Sequence, residues 1–133
     1  MLRFIIFLCL VVGLAALGGR HDVLIINQGC GLAEGAKLLG NAIEISVVLL
    51  AAFLLERGFW RHLLFIIIGT LLWWIAHDIN INLGLGVGID YIGQGSFDQF
   101  FGRIFQQSGW LYLGFRAFIL IILSLSYLSV KDE

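Results

Sequence analysis

Residues 59–91 read FWRHLLFIIIGTLLWWIAHDININLGLGVGIDY, and the fold turns on where the helix inside that stretch ends. From Phe59 to Ala76 the run is almost wholly apolar. That suits a membrane-spanning helix, which needs about 20 such residues to cross a hydrocarbon layer about 30 Å thick. Beyond His77 the pattern changes. Every odd position from Ile79 to Tyr91 is apolar (Ile79, Ile81, Leu83, Leu85, Val87, Ile89, Tyr91), and every even one is Asn, Gly or Asp. Strict alternation is the period of a strand with one apolar face. The sequence therefore predicts a span over 59–76 followed by a short extended element over 79–91. An unpaired strand cannot stay at lipid depth, so this segment is expected to pair with Val23 to Gln28 or with its own copy in a second subunit. Its glycines, Gly84, Gly86 and Gly88, miss the Gly-x-Gly-x-x-Gly spacing of a nucleotide loop.

Outward from this stretch the chain keeps the same character. Of its 133 residues 60% are hydrophobic and 13% charged, with no proline, which leaves too little polar surface to cover a water-soluble globule. The class expected is an all-α integral membrane protein with about four transmembrane helices over 2–19, 38–55, 59–76 and 110–130. A net charge of −1 without a basic stripe sets nucleic acid aside and leaves the lipid bilayer and other membrane proteins, or copies of the chain, as partners. After Gly95, Phe97, Phe100, Phe101, Ile104 and Phe105 fall at helical spacing, with Ser96 and Gln99 as a capping box. This predicts an amphipathic helix over 96–107 lying in the membrane interface.

Lys and Arg accumulate on cytoplasmic flanks. With the N-terminus inside, Arg3, Arg57, Arg61 and Lys131 lie on that side, against Arg20, Lys37 and Arg103 outside. Both termini are expected in the cytoplasm of a bacterial inner membrane, with 79–91 and the amphipathic helix outside. The first run, with Arg3 ahead of it and LAALGG at its end, also fits a secretory signal. It is expected to be retained as a helix, because no lipoprotein cleavage box precedes Cys9. Cys9 and Cys30 sit in different settings, so no disulfide is expected.

Charges inside spans need a partner or water. Glu44 and Arg116 each lie about six residues, or about 9 Å, from the same face, which predicts an ion pair between the second and fourth spans. Glu34, Lys37, Asn41 and Glu44 follow one another by three, four and three residues and so share one helical face. His21 with Asp22, and His77 with Asp78, end two spans on the same side. They are the best candidates for a metal or haem, but without a recognised ligand spacing no metal and no cofactor is expected. Ser124, Ser126 and Ser129 are expected to bond back to their own helix, and no nucleophile with an adjacent base stands out. The expected function is that of a non-catalytic structural or accessory subunit of a membrane protein assembly. The alternative is an oligomeric channel, pore or small transporter with a path along Lys37, Asn41 and Glu44.

Overall fold

A computed structural model describes residues 1–28, 33–92, 96–106 and 108–130. Within that range the side chains of residues 28, 33–36 and 96–98 fall outside the description, and with them Glu34, Ser96 and Phe97. Cys30 and Lys131 lie outside the described residues altogether.

The described chain is helical: α1 Leu2–Gln28, α2 Ala33–Leu55, α3 Phe59–Gly84, α4 Ser96–Ile104 and α5 Gly109–Ser129. Four of these, all but α4, are long and apolar enough to cross a membrane, as a multi-pass membrane protein requires. Helices are the form in which each segment satisfies its own backbone in lipid. Successive long helices run in alternating directions, since the start of α1, the end of α2, the start of α3 and the end of α5 meet in one core of Phe4, Ala52, Phe65 and Tyr127.

No strand is present among the described residues, which corrects the expectation for 79–91 and for Val23 to Gln28. Val23 to Gln28 belong to α1, and α3 runs on through the asparagines to Gly84. The alternation is therefore not a two-faced pattern. Asn80 Nδ2 donates back to the Ala76 carbonyl at 2.8 Å, inside the helix. Asn82 Nδ2 reaches across the following turn to the carbonyls of Ile89 and Tyr91, at 3.4 and 3.0 Å. One asparagine belongs to the helix wall and the next ties down the loop. The odd residues then divide, with Ile79, Ile81 and Leu83 spread around α3 and Leu85, Val87, Ile89 and Tyr91 in the turns after it. The helix stops where Gly86 takes φ +71°, a left-handed conformation that glycine adopts without steric cost.

What lengthens α3 is its partner. α1 and α3 form the most extensive contact of the molecule, with α2 against both of them, α5 against α3 and α4 on α5. With 27 and 26 residues, each of the central pair is about 40 Å long. Their side chains fill space that glycines leave open: Asn80 of α3 packs on Gly19 of α1, Val23 of α1 on Gly84 of α3, and the Phe7 ring on Gly69. Small residues that let backbones approach are the usual basis of helix association in lipid. Phe7, Val11, Phe65, Ile68 and Val48 are fully buried there, with Phe7 and Phe65 stacked at 4.2 Å.

A methyl group at Gly69 would sit 2.5 Å from the Phe7 ring and 2.9 Å from Val48. Gly69→Ala is therefore expected to cost roughly 1–3 kcal/mol through overpacking, read as a lower midpoint of thermal unfolding in detergent. Gly13→Ala, where nothing lies within 4 Å, should leave that midpoint in place or raise it. Equal midpoints for both variants would count against the tight α1–α3 contact.

Candidate functional site

Near the end of the bundle where α1 and α3 finish and α2 and α5 begin, charged side chains gather inside an otherwise apolar fold. Asp22 of α1 is 1% exposed. Its Oδ2 lies 3.4 Å from His77 Nε2 of α3 and 3.6 Å from Lys37 Nζ of α2, and His21 Nδ1 stands 3.9 Å from Oδ1. The His77 ring stacks on Trp73 at 4.7 Å, one turn back along α3. A buried carboxylate is tolerable only with charged or hydrogen-bonding neighbours, and here three helices supply them.

Trp73 in turn donates Nε1–H to Glu44 Oε2 at 2.8 Å. The Glu44 carboxylate occupies the space beside Gly18 where any side chain would overlap it. Arg116 of α5 donates from Nη1 to Asp78 Oδ2 at 2.6 Å, and its guanidinium lies 4.1 Å over the Tyr112 ring and 5.0 Å over Trp74. This arrangement corrects the predicted Glu44–Arg116 pair. The two residues have matching depths, but among the described residues α2 and α5 each pack on α3 and not along one another. Depth along a helix does not set direction around it, and Arg116 meets the carboxylate that α3 presents.

Beside this cluster lies a cavity of about 560 Å³ lined by Lys37, Asn41, His77, Asp78 and Asn82 together with Trp73, Trp74, Tyr91 and Tyr112, and by apolar Ile26, Ile81, Leu85 and Ile92. Lys37 and Asn41 of the predicted polar face thus share this wall, with Glu44 just beyond it at Trp73. On the other side of the cluster Phe7, Val11, Val48, Phe65 and Ile68 close the bundle.

Of the predicted metal candidates, His21 and His77 both approach Asp22, whereas Asp78 goes to Arg116. Among the described residues no group of three or more His, Cys, Asp or Glu is placed to hold a metal ion. Helix α4 lies over α5 rather than alone: Phe101 stacks on Tyr112 at 5.5 Å, and Phe105 contacts Tyr112 and Phe115 at 5.6 and 5.2 Å. Phe100 and Ile104 stay exposed. Ser126 and Ser129 donate to the carbonyls of Ile122 and Leu125 within α5.

A second polar cluster, absent from the sequence expectations, closes the opposite end. The Tyr127 hydroxyl donates to Glu56 Oε2 at 2.5 Å and accepts from Arg61 Nη2 at 3.0 Å. Arg61 Nε stands 3.4 Å from Glu56 Oε1, and the Arg57 backbone N–H donates to the same oxygen at 3.1 Å. This ties the short α2–α3 turn to the end of α5. The one available signal is that Glu56 opens the otherwise basic stretch ERGFWRH at 56–62, and it names no partner.

Comparison with protein-family models, with curated proteins and with solved structures gives no match, so a reading of function rests on this geometry.

Asp78→Leu should destabilise the fold by about 3–5 kcal/mol by leaving the buried Arg116 charge without its carboxylate, and Arg116→Met by less, because the Asp78 side chain is 28% exposed, while the double variant recovers most of the loss in thermal unfolding. Additive losses would reject the pair. Tyr127→Phe removes the hydroxyl between Glu56 and Arg61, and a loss of roughly 1–3 kcal/mol is expected in the same assay.

Proposed function

We propose that this chain works by binding, as a non-catalytic structural or accessory subunit of a membrane assembly, and that its cavity at the His77 end receives another component of the same membrane. The observation that carries this reading is a cavity with polar lining at one end of the bundle. Polar groups on three helices face about 560 Å³ of open space, a volume in the range of small-ligand sites. Behind them lies a closed apolar core, headed by the fully buried Phe7, Val11, Val48, Phe65 and Ile68. A cavity backed by a packed apolar core is suited to holding an occupant. Exposed Phe100 and Ile104 on α4 extend the apolar surface beside it. In this proposal the His77 end faces outward from a bacterial inner membrane and both termini are cytoplasmic, in keeping with Arg57 and Arg61 in the turn at the other end.

A second reading, conduction by several copies, draws on Lys37 and Asn41 along the cavity wall with Glu44 beyond them. Native mass spectrometry of the chain in detergent separates the two. Binding predicts a defined mass above that of the bare chain, which falls to the bare chain when Lys37 and Asn41 are both replaced by leucine. A bare wild-type chain would overturn it. So would a homo-oligomer whose ion flux in vesicles is abolished by Glu44→Gln.

A further inference from the structure

The wall of the cavity is not helical throughout. Lys37, Asn41 and Tyr112 come from α2 and α5 and most of the remainder from α3, but Tyr91 and Ile92 belong to the segment past the end of α3. The first residues of that segment still cap the helix, since the Val87 N–H donates to the Asn82 carbonyl at 3.0 Å. From Gly88 the chain forms a strap over 88–92, closed on itself by a bond of 2.9 Å from the Tyr91 N–H to the Gly88 carbonyl.

The strap is fastened to the bundle at two buried points. Asn82, buried near the end of α3, donates from Nδ2 to the carbonyls of Ile89 and Tyr91. Gly109, buried at the start of α5, lies so close to the Asp90 carbonyl that a methyl group there would overlap it. Both fastenings grip the backbone of the strap. Its side chains anchor little, because none of residues 83–92 is buried. Segments with few buried contacts open at a far smaller free energy than the core elements they join. Releasing Asn82 and Gly109 therefore frees the strap and leaves α3 and α5 in place.

The position of the strap sets the direction of access. α3 has 26 residues, about 40 Å at 1.5 Å per residue, against a hydrocarbon layer of about 30 Å. A strap past its end stands at the level of headgroups and water, where irregular backbone is tolerated as it is not among acyl chains. Resting on the reading of this cavity as a binding site, we propose that residues 88–92 are its gate, latched by Asn82 and Gly109, and that an occupant enters from the aqueous side when the strap lifts.

The test is the rate at which 2-sulfonatoethyl methanethiosulfonate, a charged thiol reagent confined to water, labels one cysteine placed in the cavity wall. That cysteine is Ile81→Cys in the full-length chain in detergent, with Cys9 and Cys30 replaced by alanine. Adding Asn82→Ala, which removes both side-chain bonds to the strap, is expected to raise the rate about tenfold, the order of factor that two hydrogen bonds supply. Gly109→Ala should raise it as well, although alanine by itself suits a helix better than glycine. A second reporter, Ala52→Cys in the fully buried core, should stay slow with or without either change. Circular dichroism and thermal unfolding establish that each variant is folded. A rate at Ile81→Cys that stays the same in either variant overturns the inference. So does an equal rise at Ala52→Cys, which is the mark of general loosening. An unmoved rate beside a bound component in native mass spectrometry overturns the gate and leaves the binding role. A raised rate in a chain that carries no component leaves the gate and overturns the binding role.

Discussion

The close approach of α1 to α3 is the contact on which the rest of the structure depends. In lipid there is no hydrophobic gain from bringing two apolar helices together, so association relies on packing and on polar contacts between them. Gly19, Gly69 and Gly84 provide the packing, each filled by a side chain from the other helix. Three consequences follow. The pair sets the core around Phe7 and Phe65, it carries α3 past the apolar run as far as Gly84, and it brings Asp22 beneath His77. With that pair in place, α2 can lean on both helices, and α5 packs along α3 with Tyr127 stacked on Phe4 of α1.

Charge is then distributed as a low-dielectric interior demands. The middle of the bundle is apolar, and the buried charges collect in two groups toward its ends, each with partners from several helices. At one end Glu56, Arg61 and Tyr127 form a closed set in which each member contacts the other two. At the other end the set is open. Arg116 is held by Asp78 and two aromatic rings, Asp22 faces His77 and Lys37, and a cavity lined by Lys37, Asn41, His77 and Asp78 lies beside them. The proposed function takes the end with the cavity as the binding end and the other as structural.

The four spans were legible in the sequence because the constraint that sets them is local. Crossing a layer about 30 Å thick takes a fixed length of apolar helix, and a run such as Phe59 to Ala76 meets that condition by itself. Helix α4 was legible for the same reason, through the spacing of Phe100, Phe101, Ile104 and Phe105. The shared face of Lys37, Asn41 and Glu44 follows from helical period alone. What lay around the turn after Gly84 was misread, because alternating Asn and Gly resembles a strand until the asparagines have partners: the Ala76 carbonyl for Asn80, and Ile89 and Tyr91 for Asn82.

Only the tertiary structure decided which polar residue meets which. Sequence spacing places Glu44 and Arg116 at one depth but says nothing of the direction in which each helix faces, and that direction is set by which glycines and aromatics of neighbouring helices interlock. Packing sent Arg116 to Asp78, Glu44 to Trp73 and His77 to Asp22. By itself the sequence determined that this chain belongs in lipid as helices, since composition and run length suffice for that. The position of its polar cavity was decided by helix packing, because contacts between distant segments exist only once their rotations are fixed against one another.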